Sequence, residues 1–566
     1  MKKNLFLLGC MTALTMLSFQ SCSSDDVVLL KKPLQPTSVS SCAKGEIALL
    51  RKIAEDNNMS ADFASEDPSA WKYDHLQVVW DTTAVNKTYY VKELRSVEGE
   101  AKGITTLKLN DERNNFRSLE RIEMKNAQLK SFSVANAPRL RTIIINGKGL
   151  NAENTELTSI DIHDLPQLDS LHIENLPKLS TTSADERFNI DAFYQYPKLA
   201  YVGIVNTGIK ELSVDPTKPL KELKLSGNKQ IKGLTLAEVA LSDLTFNAET
   251  YPLLENLALR KLSVGKSKDL IISGLSSLTD VVINRCDWFS KAEVSGCSNL
   301  KELTLNNCGL TEETCKLSNL PHLTTLNLDG NDFTSINLAH LETVKNLDLK
   351  NNKLTTTDNM VLSKAVEKLP LQGNENLQKV DLTPYKKLWL INVNGYKRGQ
   401  DAADHQHPLA LANVNLSGLT ALVSVRLNNN SLPAIFDGKA KYPELETLEA
   451  EYNAITPIGM VNIANSLENR RRDVDFKLNY QTFAVEVKEE KTVDYSVVHN
   501  FFEKEGESLS FNVKGSDGSA ASVDSYTYTN GVFTFKKAGS YKLSSNSFSD
   551  IFRGTYNYDS AVFTIQ

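Results

Sequence analysis

Apolar residues recur along most of this chain as L-x-x-L-x-L, often with asparagine three positions after the last leucine, at a spacing of about twenty-two residues. The clearest unit is Leu323-x-x-Leu326-x-Leu328-x-x-Asn331-x-Phe333-x-x-Ile336-x-Leu338. The next begins at Val344 and keeps the register through Leu347, Leu349, Asn352 and Leu354. Other units start at Leu119, Leu140, Leu168, Leu199, Leu220, Leu241, Leu254, Leu278, Leu300, Val366, Leu388, Leu422 and Leu445. Within a unit the last three positions alternate as a strand does, so Leu326 and Leu328 turn to the core while Thr325, Asn327 and Asp329 face the other way. One short strand per unit, stacked in parallel on the next, predicts a solenoid. The asparagines at Asn228, Asn331, Asn352, Asn374, Asn430 and Asn453 are expected to serve backbone groups of the turns inside the core. Cys286 and Cys308 share that register and are expected to be buried thiols of the same ladder, not a disulfide or metal pair.

This pattern resembles the leucine-rich repeat family of bacterial type, over residues 104–480. The resemblance implies an α/β solenoid, a horseshoe whose concave face is a parallel sheet. A repeat array buries each turn only against its neighbours, so its ends need cover. Ile47, Leu50, Ile53 and Ala54 share one helical face, and Trp71 and Trp80 follow, which predicts a helical N-terminal cap over residues 44–103. After Asn453 come an expected helix, Met460–Asn469, an Arg470-Arg471-Arg472 run read as a solvated feature, and a closing strand in Asp473–Leu478. From residue 481 to 566 the pattern changes to short β runs with turn signals such as Asn530-Gly531. This stretch is similar to the immunoglobulin-like modules that follow the repeats of internalin-like surface proteins, and implies a small C-terminal β-sandwich. A type IX secretion sorting domain is the alternative.

Lys2 and Lys3 precede an apolar stretch from Leu5 to Phe19, too short to span a bilayer and matching a signal peptide over residues 1–21. Cys22 directly follows and resembles the lipobox cysteine of bacterial lipoproteins, which implies lipidation at Cys22. Cys10, after Leu7-Leu8-Gly9, is the rival position, and an ordinary secreted protein cut near Ser21 is the alternative. Ser23-Ser24-Asp25-Asp26 resembles the export signal of Bacteroidetes-type surface lipoproteins. Residues 22–43, with Pro33, Pro36 and several serines, read as a tether. The implied address is the outer membrane, lipid-anchored and exposed at the cell surface.

With 63 Lys plus Arg against 69 Asp plus Glu, the 566-residue chain carries a net charge of −6 and lacks the basic excess that drives binding to nucleic acid. Neither HExxH, G-x-S-x-G, a P-loop nor paired CxxC occurs, so no enzyme and no cofactor is expected. The one cluster of ligand-type residues, Asp401 to Pro408 with His405 and His407, lies in a 34-residue interval between Leu388 and Leu422 and reads as a solvated loop, with zinc or copper as the alternative.

Outward strand positions include His172, Tyr201, Arg260, Asn284, Asn306, Asn327, Asn346, Asp348, Lys350, Asn392, Arg426 and Glu449. The stripe is polar and mixed in sign. Its most regular stretch places Asn306, Asn327, Asp329, Asp348 and Lys350 on adjacent strands as the candidate binding residues, Asp329 and Asp348 being expected to face solvent. The resemblance to internalin-like and BspA-like adhesins implies a monomeric surface lipoprotein that binds a macromolecular partner through the concave face. A glycan-binding accessory lipoprotein for nutrient capture is the alternative, and aromatic residues clustered at one end of that face would favour it.

Overall fold

The computed structural model describes residues 42–59, 76–81, 88–96, 104–109, 116–125, 128–147, 156–182, 188–189, 196–215, 220–239, 245–262, 269–286, 289–396, 411–468, 471, 473–554, 556 and 558–566. Cys10, Cys22, residues 23–41 of the expected tether and the Asp401–Pro408 loop lie outside them, whereas Cys42, near the expected end of the tether, is buried and forms a β-bridge to Tyr89.

Each turn of the array gives one strand to each of two faces. The front face is a four-stranded sheet, Thr106–Leu109 through Thr181–Thr182, followed by a 13-stranded sheet running from Phe188–Asn189 to Asp475–Lys477. The rear face begins as a seven-stranded sheet from Leu76–Asp81 to Glu222–Lys224, continues as a four-stranded sheet from Thr245–Asn247 to Cys315–Ser318, and ends in two-stranded pieces. Successive strands of the array are parallel and in register, so Leu303 stands beside Leu326 and Leu326 beside Leu347. Each leucine therefore packs on its own counterpart one turn away, and all three are buried. Beyond Ser318 the front sheet stays continuous while the rear sheet breaks up.

The leucine pattern changes face part-way along. Units starting at Leu119, Leu140, Leu168, Leu199 and Leu220 build rear strands, whereas those from Leu254 onward build front strands. In the N-terminal half both faces carry the pattern, as in Leu129-x-x-Phe132-x-Val134 at the front, half a turn after Leu119-x-x-Ile122-x-Met124 at the rear. The single stripe expected from sequence is thus two: His172 and Tyr201 lie in the seven-stranded rear sheet, and Arg260 and the residues after it in the front sheet.

The buried asparagines do what their register requires. Asn331 Oδ1 accepts the N–H groups of Cys308 and Leu310 at 3.1 Å, while its Nδ2 donates to the carbonyls of Leu305 and Leu328. Asn228 does the same on the rear face, with Thr207 and Ile204. Gln481 is the last rung, accepting from Ile455 N and donating to the Ala450 and Leu478 carbonyls. Cys286 and Cys308 are buried and form no disulfide, their Sγ atoms directed at carbonyls of the preceding turn.

Helix Lys44–Asp56 lies against strand Thr106–Leu109, burying Ile47, Leu50, Ile53 and Ala54. Its Glu46 carboxylate, 2% exposed, accepts Val91 N at 2.6 Å and Arg117 N at 3.0 Å. At the other end, helix Pro457–Ser466 starts three residues before its expected position, because Thr456 caps it through Gly459 N and Pro457 suits the first turn. Residues 481–566 form a five-stranded sheet, a three-stranded sheet and two helices, of which the ten-residue Ser496–Glu505 was absent from the all-β expectation. An aromatic contact docks this unit on the array, Phe552 packing edge-on against Phe476, and within the unit the Tyr558 ring stacks on Phe483.

Candidate binding face

On the front sheet, register places Asn306, Asp329, Lys350 and Gln372 in one row across four adjacent strands, and Asn327 and Asp348 in the neighbouring row. The five sequence-selected residues therefore come together as expected. Their side chains are not equally available. Asn327 Oδ1 accepts Asp329 N, Asp348 Oδ1 accepts Lys350 N, and Asn392 Oδ1 accepts Asn394 N, each closing the end of its own strand. Asp348 is also paired with Lys350 at 3.0 Å, the two side chains being 20% and 29% exposed. Burial pushes the Asp348 carboxyl above its ordinary value, and the nearby Asp329 charge adds to the shift. Against the effect of burial, Asp348 and Asp329 hold the Lys350 ammonium above its ordinary value. Asp348 is thus a half-buried structural group, and the expectation that it faces solvent is corrected. Asp329 accepts a hydrogen bond from Asn351 Nδ2 at 2.8 Å. Asn306 Oδ1 and Gln372 Oε1 have no hydrogen-bond partner among the described residues.

Aromatic residues missed in the sequence flank this row toward the C-terminal end. Trp389 sits beside strand Leu390–Asn392 with Lys368 Nζ 4.8 Å from its ring centre. Burial raises the Tyr396 phenol pKa, and the Lys350 charge and a hydrogen bond with Gln372 pull it back, which places Tyr396 beside that pair. Tyr452 and Tyr480 stack with ring centres 4.5 Å apart and planes 10° from parallel. Each stands immediately before a ladder residue, Asn453 or Gln481, with a positive φ of 54° or 60°. Asparagine or glycine holds that position in neighbouring turns: Asn307, Gly330, Asn351, Gly373 and Asn429. A bulky side chain in this left-handed conformation is unusual, and its place before the ladder residue was the signal available in the sequence.

Cys22, the proposed lipidation site, and the His405–His407 pair fall outside the described residues. Among the described residues no three His, Cys, Asp or Glu side chains are grouped to hold a metal ion.

Parallel strands, L-x-x-L-x-L registers and a buried amide ladder decide the architecture. The fold is a leucine-rich repeat solenoid. No family model matches the chain. Among solved structures, the functional domain of InlJ from Listeria monocytogenes is similar over 82% of this chain and 91% of its own length, at 14% identity and a TM-score of 0.43; its description records a cysteine ladder. The leucine-rich repeat protein LIC12759 of Leptospira interrogans aligns over 60% of this chain and 90% of its own, at 20% identity and a TM-score of 0.35. The internalin inlF of Listeria monocytogenes aligns over 59% and 86%, at 16% identity and a TM-score of 0.24.

Proposed function

We propose that this protein is a non-enzymatic, surface-anchored leucine-rich repeat lipoprotein that binds a macromolecular partner through its front sheet, in the manner of an adhesin. The continuous 13-stranded sheet carries the reading. Its inward leucines and ladder amides satisfy the core, which leaves the row Asn306, Asp329, Lys350 and Gln372 on the outer side of the sheet. Polar groups at the strand pitch of about 4.8 Å suit a partner that hydrogen-bonds at several points, each contributing about 0.5–1.5 kcal/mol. Acylation of Cys22 and the tether of residues 22–43 would hold a monomeric array at the outer membrane, facing outward, with the helix Lys44–Asp56 and an immunoglobulin-like C-terminal module covering its ends.

A glycan is the second reading, favoured by the Tyr452–Tyr480 stack with Trp389 and Tyr396 near one end of the same face. Aromatic rings are the usual platforms for the apolar faces of sugars. A glycan array and a pull-down of surface proteins, each run with the full chain and with an Asn306→Lys, Asp329→Lys variant, distinguish the two. Binding to neither would remove the recognition role. Fractionation of Cys22→Ala cells tests the anchor, since the protein should leave the membrane fraction, whereas Cys10→Ala should stay.

A further inference from the structure

The rear sheet is interrupted after strand Cys315–Ser318. That strand pairs in parallel with Ala292–Ser295 on one side, while the next rear strand, Ile336–Asn337, belongs to a separate sheet. Between the two lies a cleft of about 460 Å³, lined by Leu317, Leu328, Phe333, Ile336 and Leu338 with Lys316 on its rim. This volume is within the range of ligand sites, roughly 300–1,000 Å³.

The wall formed by strand Cys315–Ser318 is an open strand edge. Thr314 and Ser318 carbonyls accept from Ala292 N and Gly296 N, so residues 314, 316 and 318 serve the paired side. Cys315 and Leu317 then direct their backbone groups toward the cleft. Two of those four groups are satisfied: Cys315 N–H donates to the Thr311 carbonyl at 2.9 Å, and the Leu317 carbonyl accepts from His340 Nε2 at 2.7 Å. The Leu317 N–H and the Cys315 carbonyl have no partner among the described residues, although Leu317 is only 8% exposed. Leu317 is buried and Cys315 partly exposed, and an unpaired donor and acceptor on a strand edge are a template for another strand. The Cys315 thiol adds no reactivity, since burial pushes its pKa up to about 12.

We propose that this cleft is a second binding site, which takes an extended peptide as an added parallel strand. A single residue of the incoming strand donates its N–H to the Cys315 carbonyl and accepts from the Leu317 N–H, and its neighbour places an apolar side chain on the leucine and isoleucine floor. The register on the occupied edge shows what the strand already accepts: Val294 stands beside Leu317 and Glu293 beside Lys316. Lys316 is exposed, its ammonium reaching only the Glu312 carbonyl at 3.1 Å, so a carboxylate is the complementary charge on the free edge as well. The occupant is therefore an extended segment with alternating apolar and acidic residues. This inference is independent of the front-face reading, since the backbone groups and the Lys316 charge it uses belong to the rear strand Cys315–Ser318.

The test uses the hexapeptide Lys-Ala-Glu-Val-Ser-Gly, which copies residues 291–296, titrated into the full chain while amide exchange is followed at Leu317. The expected result is saturable binding that slows Leu317 exchange about tenfold or more, with binding lost when the peptide is N-methylated at its glutamate and weakened severalfold by Lys316→Glu. Three results would overturn the proposal: no binding at millimolar peptide, binding indifferent to N-methylation, or a Leu317 amide already protected in the free chain.

Discussion

Tyr558 Oη donates a hydrogen bond to the carbonyl of Ile455 at 2.8 Å, across 103 positions of sequence, and both residues are buried. This contact ties the C-terminal unit to the last turns of the array, where helix Pro457–Ser466 would otherwise present apolar surface to water. Tyr558→Phe should leave the Ile455 carbonyl unpaired and cost about 1–2 kcal/mol, and Tyr558→Ala about 3–5 kcal/mol. Urea denaturation of the two variants checks both values, and a chain ending at residue 480 should aggregate.

Glu46 makes stability depend on pH. Burial raises its pKa from 4.5 to about 7 in the folded chain, despite the two backbone N–H groups that favour the carboxylate. Because the folded value lies above the unfolded one, the unfolded chain loses its proton first, and stability falls as pH rises from about 4.5 to 7, then levels off. The total is about 3 kcal/mol. Glu46→Gln should remove that fall, its denaturation midpoint matching wild type at pH 4.5 and exceeding it at pH 8. A wild-type midpoint unchanged over this range would contradict the assignment.

The ladder asparagines are expected to be costly to lose. Asn331→Ala strands the N–H groups of Cys308 and Leu310 and the carbonyls of Leu305 and Leu328 in the core, for about 2–4 kcal/mol. Cys308→Ala removes one weakly bonded thiol and should cost about 1 kcal/mol. Chemical denaturation of the pair compares them directly.

Gly373 and Gly309 separate steric from conformational cost. Both have positive φ, 76° and 64°, but a Cβ at Gly373 would overlap Asn351 Oδ1, whereas one at Gly309 meets nothing within 4 Å. Gly309→Ala should cost only the left-handed preference, about 1 kcal/mol, and Gly373→Ala clearly more. Equal losses on melting would show that Asn351 swings aside freely.

The repeats, the ladder and the grouping of Asn306, Asn327, Asp329, Asp348 and Lys350 were legible in sequence because a strand period of two and a fixed turn length leave few choices. The 13-residue step from Leu241 to Leu254 marked the change of face, being little more than half a turn; it looked like an irregular joint because both faces carry the same letters. In the helix Ser496–Glu505 the i, i+4 pair Val498 and Phe502 shares the buried face, a helical spacing masked by residue types, valine and phenylalanine, that also favour strands. Asp348 and Asp329 differ in repeat position: Asp348, like Asn327 and Asn392, stands between the two strand-edge apolar residues and accepts the N–H two residues on, whereas Asp329 follows the second leucine. That a carboxylate in the first position turns back on its own strand is fixed by the turn geometry, which the letters do not carry. The Leu317 edge was likewise hidden, since a missing strand leaves no letters.

The front sheet as the recognition surface is the central claim, and comparing two double variants for partner binding tests it most directly. Asn306→Lys with Asp329→Lys alters the front row while leaving the Asp348 and Lys350 side chains themselves in place, and Glu174→Lys with Glu222→Lys makes a similar charge change on the rear sheet. With melting temperatures matched, the front variant should lose binding by about tenfold or more, while the rear variant binds as wild type. Loss of binding in the rear variant alone would contradict the account and move recognition to the opposite face.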